Sequence, residues 1–480
     1  MKFRTTLLAS AFAMLPAASM ATTEDFLEGF AVTAADTGAA RVIEGDGLSF
    51  SSSDVGDGKA SFSDAVIRIG HKTIKAYEMV VDDAGIHAKG VVVAAEKDGE
   101  AYARLDIADM TVSGPQATQL MMAPPFDNCL PGEDLSGMAE IEPTVISFGG
   151  LQAEAPQTPA APAEFERLER IHVETGEAAV RLSAAGNCLE VVSASGTGMR
   201  IGDHLGAIEF DRVTLAQNSF PAEGDARDIN ANIEGGRIVG SSGEVIASFD
   251  GAGFHGWLSP AFDDLIANGG ILSDLSGAVN RLLSTKGAAG TGVEFTGVMI
   301  DVRRMFDESQ LDMLGLGDVE QITGDVGFAL AAGKEAEDAQ IDALVDIDLE
   351  GLAAFRFDAS LVQIEDLQEA GSDIRAAGLS LATVMAIKSG QVSFKDKGLV
   401  GTLETSAGMD RQGLQEVARG ILRDLPASLR TPVLEWVSRA MESGASVVVA
   451  PEKPMPLIQA GVMAAMSPSL LAKELRLTVD

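Results

Sequence analysis

The chain has 480 residues, 46% of them hydrophobic and 22% charged, and its 35 Lys and Arg stand against 71 Asp and Glu for a formal net charge of −36. Such acidity argues against nucleic acid as a partner, because that binding depends on Lys and Arg neutralising phosphates, and it disfavours adsorption to anionic lipid. With roughly 150 residues per domain, the length makes about three domains and a large core.

Residues 1–21 read as a secretory signal: Lys2 and Arg4 precede an apolar stretch at residues 7–15, and Ser19-Met20-Ala21 is a small-x-small cleavage site. The expectation is cleavage after Ala21 and a periplasmic mature chain with no transmembrane segment. The apolar stretch is about half of the ~20 residues that a span requires, and the later apolar run at residues 457–466 is also too short.

A short phrase then recurs: two apolar residues at alternate positions, a two-residue slip, and two more. Its copies are Leu105, Ile107, Met110, Val112; Ile146, Phe148, Leu151, Ala153; Ile208, Phe210, Val213, Leu215; and Val293, Phe295, Val298, Ile300. Ala60, Phe62, Ala65, Ile67 and Phe355, Phe357, Ser360, Val362 are looser copies. Alternation is the period of a strand, and the slip would turn the second pair to the other face unless a bulge or a bend absorbs one residue. Asp64, Asp109, Asp211, Gly297 and Gly149-Gly150 occupy the slips. Each copy is therefore read as a bent strand, or as two short strands around a kink, presenting one apolar face.

Residues 74–81, 85–93 and 178–192 are also strand-like, with Gly and Asp at the turns. The fold class predicted is mainly β with α (α+β): a long curved or rolled antiparallel sheet of repeated bent strands and a helical hairpin near the C-terminus. The organisation predicted is a β-rich unit over 22–152, a linker at 153–165 marked by Pro156, Pro159 and Pro162, a second β-rich unit over 166–310 with a helical insertion at 255–283, and sheet plus hairpin over 311–480. Cys129 and Cys188 are the only cysteines. An even count in an exported chain predicts a disulfide across the linker, worth about 4 kcal/mol in the chain-entropy model.

Gly251-Ala-Gly253-Phe-His-Gly256 matches the dinucleotide-binding fingerprint, but no parallel βαβ unit surrounds it, and it reads as a turn with a helix cap. The five His residues lie too far apart for a local metal pattern, and no G-x-S-x-G elbow occurs. The acidic loops at Asp54 and Asp57 and at Glu44 and Asp46 lack the ligand alternation of a calcium loop and read as acidic turns. No catalytic, cofactor-binding or metal-ligating residue is assigned.

In residues 409–442, Leu414, Val417, Ala418, Ile421 and Leu422 follow helical spacing, and a second helix from about Ser428 carries Pro432 in its first turn and Val433, Trp436, Val437 and Ala440 on one face. Pro426 breaks the pair, and five Arg balance five acidic residues. Leu414, Val417, Ile421, Val433, Trp436 and Val437 form a candidate docking face; the plainer reading packs them on the sheet.

The phrases Phe210-Asp-Arg-Val213 and Phe295-Thr-Gly-Val298 resemble, across residues 60–362, the strand pattern of AsmA-like envelope proteins, of the periplasmic bridges that move lipopolysaccharide, and of Gram-negative periplasmic proteins whose β-rich halves precede a helical C-terminal part. The resemblance implies a curved sheet whose apolar inner face holds acyl chains, and it carries over no functional residue. The function expected is that of a non-enzymatic periplasmic envelope protein binding or shielding lipid or another apolar ligand. The alternatives are an envelope scaffold that docks a protein through the hairpin, and a hydrolase with a dispersed site. The repeat fits a ligand groove and a closed core equally well.

Overall fold

The computed structural model describes residues 47–56, 59–69, 72–82, 85–97, 100–117, 120, 141–154, 170–182, 189–203, 206–217, 227–258, 287–306, 310–311, 319–335, 338–364, 382–408, 410–424 and 427–480. The chain is mainly β, strand following antiparallel strand, with helices gathered toward the C-terminus. It divides into two compact units, Met1–Glu223 with Ala231–Glu244 and Gly224–Asn230 with Val245–Asp480.

In unit 1, β1 (Gly47–Ser49) and β2 (Ser52–Gly56) both pair with β3 (Lys59–Ile69). From there β4 (Lys72–Asp82), β5 (Gly85–Lys97), β6 (Glu100–Ser113), β7 (Thr144–Glu154), β8 (Arg170–Leu182), β9 (Leu189–Asp203) and β10 (Gly206–Gln217) each pair with the strand before. β7 and β8 are hydrogen-bonded neighbours, with Thr144 opposite Val180, so the Pro-rich segment at 153–165 is a connection inside unit 1. Most of that segment, and both Cys129 and Cys188 with their predicted disulfide, lie outside the described residues. β11 (Arg227–Gly240) sends Arg237 to Asp211 of β10 at 2.6 Å.

The slip is a bend that neighbouring strands make together. Ser63 pairs with Glu78 and Ala65 with Ala76, so Asp64 faces Tyr77 with no residue inserted. Ile107 opposite Leu151 and Asp109 opposite Gly149 repeat the arrangement on β6 and β7. Both strands change parity at the same level, which keeps every apolar pair on one face without shifting register. The turn itself is made on every second strand by one residue in the left-handed region: Asp64 (φ 51°), Gly90 (58°), Gly150 (61°), Gly198 (58°), Gly235 (62°) and Gly297 (61°). Glycine adopts that region without a Cβ penalty; at Asp64 the Ser51 hydroxyl donates to Oδ2 at 2.8 Å. Asp109 and Asp211, also slip residues, do not make the turn. They lie on the partner strands, and a Cβ on Gly235 would collide with the Asp211 carboxylate.

Unit 2 continues the motif briefly and then abandons it. β12 (Val245–Leu258), β13 (Gly287–Asp301), β14 (Gln321–Glu335), β15 (Asp338–Leu349), β16 (Ala353–Gln363) and β17 (Met385–Asp396) form an antiparallel meander. Between β13 and β14 the register shifts at Phe295/Val298, a true bulge, and β14 and β15 then alternate without a slip. The loosest copy, in β16, meets another shift: Ser360 pairs with Ser389 but Leu361 with Ile387, which leaves Lys388 as the extra residue. β18 (Ala445–Val449) and β19 (Met455–Pro456) pair with β17, and β20 (Thr478–Val479) with β18.

The helices that lie wholly within the described residues include α1 (Val302–Met305), α2 (Leu399–Ala407), α3 (Arg411–Ile421), α4 (Ala427–Glu442), α5 (Leu457–Met466) and α6 (Pro468–Glu474). Asp410 caps α3 by accepting from Gly413 N at 2.7 Å. Three sequence expectations are corrected. The glycine fingerprint at 251–256 lies inside β12, not in a turn, with Ala252 opposite Phe295 and Phe254 opposite Val293; its small residues alternate with apolar ones on an ordinary strand. Residues 255–258, predicted to open a helical insertion, complete that strand, and 259–283 lie outside the described residues. Pro432 sits inside α4 and not in its first turn, where it removes one backbone donor from the helix ladder.

Candidate functional site

The apolar cross-strand rows of the two units differ in burial. In unit 1 the cross-strand row Val81, Ile86, Val112, Ile146 is joined residue to residue through β4–β7, and each member is at most 2% exposed. These side chains belong to one buried cluster that runs from Ala60 to Met199, with Phe50, Phe210 and Val213 packed against it. Between Ile67, Ile74, Met79 and Met110 there is no room for a water molecule. Across β3–β7 the described face is therefore a filled core, whereas the copy in β10 (Ile208, Phe210, Val213, Leu215) is half-buried.

In unit 2 the corresponding row runs Phe254, Val293, Phe328, Val345, Phe357, Val392 across β12–β17, again residue to residue. Here no member is buried, and Phe328 is 45% exposed. The next row, Phe295, Val326, Ile347, Phe355, Phe394, is half-buried throughout. Phe295 meets Phe249 edge-on with ring centroids 5.4 Å apart. α4 packs at one margin of the sheet, on β17 and β18. What the arrangement offers chemically is an uncharged, aromatic-rich strip within reach of solvent.

The opposite face of β15–β18 holds a shallow open depression of about 390 Å³. Asp346, Arg356, Ser393 and Ser446 share that face by register, and Arg356 Nη1 is tied to Asp346 at 3.2 Å. Among the described residues no group of three His, Cys, Asp or Glu could hold a metal ion.

The six residues of the predicted docking face are divided between two environments. On α4, Val433, Trp436 and Val437 are half-buried, and Trp436 Nε1 donates to Ala445 O of β18 at 3.1 Å, fastening the helix to the sheet. On α3, Leu414 is half-buried whereas Val417 is 46% and Ile421 77% exposed. Trp436 is thus fastened to the sheet, whereas Val417 and Ile421 meet solvent. The sequence reading missed Phe328, whose position differs from a core phenylalanine only in what covers it. It also missed the exposed side of α5, although the run at 457–466 was noticed for its hydrophobicity. No described helix is long and apolar enough to cross a membrane. Comparison with protein-family models and with curated proteins gives no match to the chain.

Proposed function

We propose that the chain is a non-enzymatic protein of the Gram-negative envelope, exported to the periplasm, that carries or shields a lipid or another apolar ligand on the unit 2 sheet. The observation that supports this reading is the row from Phe254 to Val392, which is continuous, apolar and incompletely buried. Apolar area left in contact with water forgoes about 25 cal/mol per Å², and contiguous apolar patches on a protein surface mark binding sites. An acyl chain lying along the strip would recover that stabilisation without any polar partner. The AsmA-like strand pattern points to the same ligand class.

The test is native mass spectrometry, with lipid extraction, of the protein purified from its own periplasm. Bound lipid is expected in the wild type and should be absent from Phe328→Asp and Val345→Asp variants of unchanged circular dichroism. A lipid-free wild type would overturn the reading.

The exposure of Val417 and Ile421 favours a second reading, an envelope scaffold that docks a protein through α3. Crosslinking in cells tests it, since Ile421→Asp should then abolish partner recovery while leaving bound lipid unchanged.

A further inference from the structure

The strongest unassigned surface is the outer side of α5 and α6. α5, of sequence LIQAGVMAAM, contains no charged residue, and Gln459 is its only polar side chain. One side is anchored: Ala460 is buried in a cluster with Met455 and Leu475, and Met463 and Leu471 pack against it. The other side presents Ile458, Val462 and Met466 at four-residue spacing, continued by Leu470 of α6, and Met466 is 79% exposed. A helix held on one side and bare on the other does not owe its exposure to fraying.

Charge singles out the same region. Residues 410–480 contain eight Lys and Arg and eight Asp and Glu, so the whole net charge of −36 falls on the rest of the chain. More of the large exposed apolar side chains lie in those residues than in all other described residues together. We infer that α5 and α6 dock on a lipid bilayer, with the stripe from Ile458 to Leu470 buried at the boundary between headgroups and acyl chains.

Two magnitudes favour a bilayer over a second copy of the chain. The stripe exposes on the order of 400 Å², about half of what each partner gives to a standard protein interface, whereas an interfacial helix needs only a few apolar side chains. At about 1.5 Å per residue α5 is roughly half as long as the ~30 Å hydrocarbon core, so it lies along the surface and does not cross it. Electroneutrality suits zwitterionic lipid, because the acidic remainder is repelled by an anionic surface.

Flotation of the full chain with phosphatidylcholine vesicles tests the inference. The wild type is expected to float, and Val462→Asp and Met466→Asp, both at exposed positions, should each lower the floated fraction on the order of tenfold. Replacing part of the phosphatidylcholine by phosphatidylglycerol should weaken flotation further. The docking surface is independent of the unit 2 ligand strip, and Phe328→Asp should float like the wild type. A wild type that does not float, variants that float equally, or binding confined to anionic vesicles would overturn it. So would a wild-type dimer that Val462→Asp dissociates.

Discussion

Val112 in unit 1 and Val345 in unit 2 occupy the same kind of position, in the middle of an apolar cross-strand row. Val112 is wholly buried and Val345 is not. The strands around Val112 all turn at the shared bend, whereas β14 and β15, which flank the pairing at Val345, run without one. A bend made at one level by consecutive strands keeps all their apolar pairs on a single face, and over β3–β7 that face is sealed in one cluster. Where β13 ends the motif with a bulge against β14, the row continues across the sheet but its side chains keep contact with solvent. Residue type does not set the difference, since both rows are built from Val, Ile and Phe.

The largest expected effect breaks the sealed side. At the end of the β8–β9 pair, Glu190 is only 3% exposed and faces Arg181 at 3.5 Å. Removing one member of a buried pair strands the other charge at a cost of about 3–5 kcal/mol, so Glu190→Ala should lower the urea midpoint of unit 1 sharply. The double variant Arg181→Met, Glu190→Leu should recover most of the loss, because an apolar pair needs no compensating charge. Recovery of nothing would mean that the ion pair is not what Glu190 contributes.

A second substitution sharpens the contrast directly. Ile86→Ala empties a site that has no room to relax and should cost about 2–5 kcal/mol, read as faster amide exchange across β4–β6. Val345→Ala removes a side chain already in contact with water and should cost roughly 1 kcal/mol or less. Equal losses would show that the unit 2 strip is as much a core as the unit 1 face.

Much of this architecture is legible in the sequence, and for a physical reason. The spacing Leu105, Ile107, Met110, Val112 encodes strand, bend and shared face at once, because side-chain direction alternates strictly along a strand. The allocation of the turn was not legible. Asp64 and Asp109 look alike in the repeat, yet one adopts the left-handed conformation and the other stands on the strand opposite, a distinction that exists only once strands are paired. Burial was hidden for the same reason. Phe328 and Phe148 follow similar patterns, and only the tertiary arrangement leaves the first exposed and the second buried. On α4, Val433 and Trp436 were legible as a helical stripe, but a stripe packed on β18 and a stripe facing water have the same period. The exposed side of α5 was missed on that account.

The smallest expected effects test the bend itself, and they should have opposite signs for the same chemical change. Gly235 has φ 62° beside the Asp211 carboxylate. Alanine there must hold a left-handed backbone, at about 1–2 kcal/mol, and push its Cβ into that carboxylate. Gly327 lies on the unbent strand β14, outside the left-handed region, and a Cβ there would rest 3.8 Å from Asp346 Cβ. Alanine at this position meets no strain and restricts the unfolded chain, so Gly327→Ala should stabilise by about 0.4–1 kcal/mol. Denaturant midpoints of the two variants measure the pair. If Gly235→Ala is also neutral or stabilising, the left-handed residues do not hold the bend, and the sealing of unit 1 must come from the packing of its side chains alone.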